Sequence, residues 1–217
     1  MTIAVVNQSS LVSDADVARM VVAVDTQLYW QAARAWSRTP LRIRFAGRQQ
    51  VTTGEWQIVI LDTPDQLGVL GWHTEDAGQP HGAVFAGPIL DHGGDACTTP
   101  LSVSSVLSHE ALETMFDWTI NLWADDGAGR MWSYEVCDPC EGDSYKIGTG
   151  GVDTTVSNFV LPTFFDVQTK GRVDWVGTCP GPFQLAHHGY AMTVGMNGQV
   201  NQIRGDLYDP ARARLFG

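Results

Sequence analysis

Across residues 13 to 36 the apolar positions Val17, Met20, Val21, Val24, Leu28, Ala32 and Trp36 fall on one helical stripe, which predicts an amphipathic helix packed on a core. Ser13 stands at its N-cap with Asp16 three residues later, and Thr39-Pro40 ends it. "LRIRFAG" alternates apolar and basic residues as a half-exposed strand does, while "WQIVILD" is a more continuous apolar run suited to a strand buried on both faces. The opening therefore reads strand, helix, strand, strand. Residues 62 to 82 are rich in Pro, Gly and Asp and read as an irregular loop before a strand "AVFAGPIL".

A Gly-Gly turn leads to Thr99-Pro100, a cap followed by proline at a first helical position, and to a second helix from about residue 100 to 118. Leu101, Val103, Val106, Leu107, Leu112, Met115 and Phe116 make this helix apolar nearly all round, so it belongs inside the protein. From residue 124 short strands alternate with turns: "MWSYEVCD", "SYKIG", "TTVSNFVLPTFF", "GRVDWVG" and a late hairpin turning at Asn197-Gly198. The pattern as a whole predicts an α+β fold over residues 1–217 as a single domain. It has an N-terminal helix and mixed sheet, a buried second helix, and a β-rich C-terminal half wrapping the end of that helix.

Against this apolar background three polar residues stand out in the second helix, in "SVLSHEALETMFDW". His109 and Glu113 are four apart, on one face one turn apart, and can hold one cation together, with Glu110 turned aside to reach a water on it. Ionised carboxylates buried without compensation cost several kcal/mol, on the order of 3 to 5, so something must compensate them. With six histidines and twenty-four acids in 217 residues, a chance H-E-x-x-(H/D/E) is expected about 0.02 times per chain. The alternative reading is a hydrogen-bonded histidine, a solvated Glu110 and a Glu113 paired with arginine.

The pattern S-H-E-x-x-E followed by E-x-C-D-P resembles a family of zincin-like proteins of bacteria and tailed bacteriophages, related to the H-E-x-x-H zinc metallopeptidases with glutamate in place of the last histidine. The resemblance is carried by "LGWHTEDAGQPHGAVF", "LSHEALETMFD", "YEVCDPCEGDSY" and "VSNFVLPTFF", from about residue 58 to 165. It implies a zincin-like domain with His109 as first metal ligand, Glu110 as general base and Glu113 as second ligand. Glutamate at the last position makes the site harder and more anionic, which suits Zn²⁺ but admits other divalent cations.

A catalytic zinc needs a third protein ligand. Asp138 in "YEVCDPCEGD" is the preferred source, with Glu135 as the alternative, since strand alternation would set Glu135 beside Cys137 and apart from Asp138. An Asp-Pro turn whose carboxylate caps amides is the competing account of Asp138. His73, Tyr134 and Tyr145 are candidates to steady an oxyanion. The expected reaction is hydrolysis of a peptide or other amide bond, with a peptide or protein substrate. The competing expectation is a virion structural protein, a head, neck or tail component whose partners are neighbouring virion proteins.

Composition narrows this further. Thirteen basic against twenty-four acidic residues give a net charge of −11, which argues against nucleic acid or an anionic membrane as partner. The N-terminus has neither a basic n-region nor an apolar h-region, so synthesis as a cytosolic product without a signal peptide is expected, with assembly into a phage virion as a route outward. Cys137 and Cys140 have C-x-x-C spacing without a second such pair. A separate structural zinc, or in an oxidising setting a disulfide with Cys97 and Cys179 as a second pair, are the readings open to them. His187-His188 reads as a turn feature, and Asp125-Asp126-Gly127 lacks Ca²⁺-loop spacing. The many Trp and Phe residues suit extensive apolar packing or a partner surface, and "YDPARARLFG" could form an arm on a neighbour.

Overall fold

The apolar run "IAVV" near the N-terminus forms β1 (Thr2–Asn7), buried along its length as an interior parallel strand must be. In the computed structural model, which describes residues 1–49, 54–66 and 68–205, β1 pairs in parallel with both β2 (Arg42–Phe45) and β3 (Trp56–Leu61). β3 pairs in parallel with β5 (Gln79–Phe85), and β4 (Gly71–Asp76) closes the sheet antiparallel to β5. The order is β2-β1-β3-β5-β4. The proposed arm "YDPARARLFG" lies outside the described residues.

Helix α1 (Asp14–Thr26) starts as its sequence requires: Ser13 Oγ accepts the Asp16 amide at 3.1 Å. It then runs through a π-helical stretch, Gln27–Ala32, into a last turn, α2 (Ala33–Ala35). The side chain of Gln27 is buried there, its amide donating to Ser157 O at 2.8 Å and Tyr145 Oη at 3.0 Å. Trp36 then enters an aromatic cluster with Phe116, Tyr134 and Phe165.

The segment expected to be a loop before a strand at 83–90 is different. Residues 71–76 and 79–85 form a hairpin, and "AVFAGPIL" ends in a short helix, α3 (Ala86–Asp91). Two left-handed residues make the turn, Ala77 at φ 49° and Gly78 at φ 77°. The pairing β4 finds on β5 outweighs a sequence with weak strand preference.

Helix α4 (Val103–Asp117) is the second expected helix, but its cap is Ser102 rather than Thr99, in a reciprocal capping box with Ser105. It packs against α1, β4, β5 and β9 (Val152–Ser157). Buried Leu107, Leu112 and Phe116 anchor it, each contributing about 1.5 to 3 kcal/mol on burial. Two serines fix its rotation: Ser104 Oγ donates to Thr155 O at 2.6 Å, and Ser108 Oγ accepts Ser157 N at 2.6 Å.

The C-terminal half is β-rich as expected. β6 (Trp123–Asp125), β7 (Arg130–Ser133), β10 (Tyr190–Gly195) and β11 (Val200–Arg204) make an antiparallel sheet in the order β11-β10-β7-β6. β8 (Ser144–Thr149) pairs with β9. "GRVDWVG" contributes only an isolated bridge between Val160 and Asp174. The architecture is thus α+β with a mixed sheet, and most of its buried apolar residues join in one cluster. No helix among the described residues is long and apolar enough to cross a membrane.

Candidate metal centre

The polar residues of α4 meet those of two other elements. On the helix, His109 Nε2 lies 3.1 Å from Glu113 Oε2, as the i, i+4 spacing demands. A 3₁₀ turn at Asp138–Cys140 brings Asp138 Oδ1 to 3.3 Å from the same His109 nitrogen. From β4, His73 Nδ1 reaches Glu110 Oε2 at 3.4 Å and Glu113 Oε2 at 3.6 Å, while its Nε2 lies 3.8 Å from Glu135 Oε2. The residues expected as metal ligands and general base, His109, Glu110, Glu113, Asp138 and Glu135, are therefore gathered together. Asp138 adjoins His109, and Glu135 adjoins His73.

The expected strand through "YEVCD" ends at Ser133, so the alternation used to separate Glu135 from Asp138 does not apply beyond it. The chain bends at Val136 and Cys137, so that Asp138 meets His109 of the helix and Glu135 meets His73 of β4. The Cys137 amide donates to Glu113 Oε1 at 3.2 Å, leaving Oε2 for the two histidines. The Cys137 thiol is a rival third donor, since it, His109 and Glu113 offer ligand atoms within 4.8 Å of one another. Its Sγ faces the His109 carbonyl at 3.8 Å, and burial pushes its pKa well up. Cys140 faces Cys179 instead, so the C-x-x-C pair does not act as a unit, and all four cysteines are free.

Glycines allow the close approaches. A Cβ at Gly71 would lie 2.6 Å from Glu110 Oε1 and 2.8 Å from Val106 Cγ1, so only glycine lets the Glu110 carboxylate rest against β4. A Cβ at Gly189 would lie 2.1 Å from Pro139 O. That contact seats Tyr190 at the start of β10, where its hydroxyl donates to Asp138. Tyr190, Glu141, His109 and Glu110 line a cleft of about 600 Å³.

The charges are unbalanced. Five carboxyl groups (Glu110, Glu113, Glu135, Asp138, Glu141) face two imidazoles, and with every group ionised the sum is 2 − 5 = −3. Burial, reinforced by the Glu113 charge, raises Asp138 to about 6 and Glu135 well above the usual carboxylate range. Burial likewise pushes Glu141 well up. Burial alone would lower the histidines, but the Glu110 hydrogen bond and the Glu135 and Glu113 charges bring His73 to about 10, and Glu113 and Asp138 hold His109 well above its ordinary value. The buried atoms His73 Nε2, Glu135 Oε2 and Glu141 Oε2 have no hydrogen-bond partner.

Sequence reasoning missed Tyr190 and Glu141 and gave His73 a different role. Nothing in the chain pattern joins Tyr190 to Asp138, and Glu141 reads as part of a turn. Tyr134 and Tyr145 are not brought to the site: Tyr134 stacks on Phe165, and the Tyr145 hydroxyl is engaged by Gln27 and Gln31. His187 and His188 occupy the turn before β10, as expected. Comparisons with protein-family models, with curated proteins and with solved structures give no match.

Proposed function

We propose that this chain is a metal-dependent hydrolase of peptide or other amide bonds, built on a zincin-like α+β domain, with His109, Glu113 and Asp138 holding a zinc ion and Glu110 as general base. The observation that carries this reading is the surplus of buried carboxylates beside an open cleft, with side-chain atoms left unpartnered. Neighbouring ligands on a tetrahedral zinc, with bonds of about 2.0 to 2.2 Å, sit roughly 3.4 Å apart. The separations of 3.1 and 3.3 Å around His109 Nε2 are of that size. One nitrogen and two oxygens form a donor set that suits Zn²⁺ and also accepts Mn²⁺.

Bound there, a divalent cation would lower the pKa of a water and polarise a carbonyl. The chain's own groups supply the rest. Glu110 stands on the cleft wall one residue beyond His109, its Oε2 held by His73, and can take up a proton and pass it to a leaving amine. The Tyr190 hydroxyl orients the Asp138 carboxylate and faces the same cleft.

Elemental mass spectrometry on purified wild type, His109→Ala and Glu110→Gln, paired with mass-spectrometric detection of cleavage in a peptide and amide library, tests this. Wild type is expected to hold at least one zinc and cleave. Glu110→Gln is expected to keep its zinc and lose roughly 10³-fold in rate. A folded wild type without metal, or with metal and no turnover across the library, would remove the hydrolase reading.

A further inference from the structure

His73, Glu113 and Glu135 form a second set of donors whose ligand atoms lie within 4.8 Å of one another. This set and the one around His109 share a single residue, Glu113. Glu113 Oε2 lies 3.1 Å from His109 Nε2 and Oε1 accepts the Cys137 amide, while a carboxylate oxygen of the same Glu113 lies within 4.8 Å of ligand atoms of both His73 and Glu135.

We propose that the protein holds two divalent transition-metal ions, the second bound by His73 and Glu135 and joined to the first through the carboxylate of Glu113. This deepens the metal-hydrolase reading and rests on it for the first ion.

Hydrogen bonding does not account for the second set. Side-chain exposure is 7% for His73 and 11% for Glu135, and His73 Nε2 and Glu135 Oε2 are buried without hydrogen-bond partners although they face each other. Their 3.8 Å separation is too long for an N–H···O bond. It is close to the spacing of about 3.4 Å expected for two atoms bound to one ion. The His73 ring also has a partner on its other edge: a ring ligating through Nε2 can keep its Nδ1 proton for Glu110 Oε2, 3.4 Å away, the usual arrangement for a metal-binding histidine. In this arrangement the Glu110 side chain is oriented by a ligand of the second ion. A carboxylate shared between ions about 3.5 to 4 Å apart is the common design of two-metal hydrolytic centres.

Stoichiometry separates this proposal from the one it rests on. Full-length protein stripped by chelator is titrated with Zn²⁺, and in parallel with Mn²⁺, and bound ions are counted by native mass spectrometry for wild type, Glu135→Gln, His73→Ala and Glu113→Gln. Circular dichroism checks the fold, and Glu135→Gln, nearly isosteric, guards against a variant that fails to fold. The expected counts are two ions in wild type, one in Glu135→Gln and His73→Ala, and none held stably in Glu113→Gln. One ion in wild type, retained in Glu135→Gln and His73→Ala, overturns the second site and leaves the first. Two ions in wild type and still two in both variants places the second ion elsewhere and overturns the proposal. No ion in folded wild type overturns both readings.

Discussion

Two regions bury carboxylates and treat them in opposite ways. Asp174, fully buried, accepts hydrogen bonds from Asn158 Nδ2 and the amides of Gly177, Thr178 and Cys179 at 2.6 to 3.1 Å. Burial pushes its pKa up, but those donors outweigh it and leave the carboxyl lowered. At the candidate metal centre Glu135, Asp138 and Glu141 have too few donors and are raised. Burial alone therefore does not decide a carboxylate's state. The supply of donors does, and where it falls short a cation is the natural remedy.

The largest test of that contrast is His109→Ala, which deletes a donor of the proposed cation site. Zinc content measured by elemental mass spectrometry is expected to fall by one ion per chain, and hydrolysis by about 10³-fold or more. Asp174→Ala attacks the satisfied region instead. It is expected to cost about 3 kcal/mol in chemical denaturation, because several amides lose a charged acceptor, while zinc content stays unchanged.

The third test uses pH. In metal-free protein Asp138 has a folded value raised to about 6, so its stabilising contribution is full below the unfolded value of about 3.9 and lost as pH rises through about 6. The lowered Asp174 acts in the opposite sense, contributing above about 3.9 and losing that contribution in acid. The gap in melting temperature between zinc-loaded and stripped protein is therefore expected to widen between pH 4.5 and 7.5, on the order of 5 °C, in a calorimetric series. An unchanged gap would remove the carboxylate account of the centre. The smallest effect is expected from Gly71→Ala, whose new Cβ displaces Glu110. Steady-state kinetics should show roughly a tenfold loss in kcat with zinc content intact.

Much of this was legible in the sequence where one residue pattern carries one meaning. His109, Glu110 and Glu113 stand out because polar groups interrupt an otherwise apolar helix, and Ser13 and Asp16 announce the start of α1. Asp138 and Glu135 were visible as acids near a turn, but their placement was not, because the strand stops at Ser133 and alternation then means nothing. Strand β4 escaped because "GWHTED" has little strand preference of its own and owes its form to β5. Tyr190 reaches the site through a backbone approach at Gly189 that no local pattern encodes.

The π-helical stretch at Gln27–Ala32 gives the protein an uneven tolerance to insertions and deletions. The apolar stripe there advances by three successive steps of four, from Val24 to Leu28, Ala32 and Trp36, overshooting the α-helical period, and the wider turn absorbs the excess. A single-codon deletion inside the stretch would restore ordinary pitch and keep the stripe, since eleven α-helical residues turn through about 1100°, close to three full turns, whereas an insertion would add about 100° that no wider turn absorbs. After an insertion Trp36 would leave Phe116 and lose its bond to Val160 O. In genetic terms, this segment should bear the loss of one codon far more readily than the gain of one.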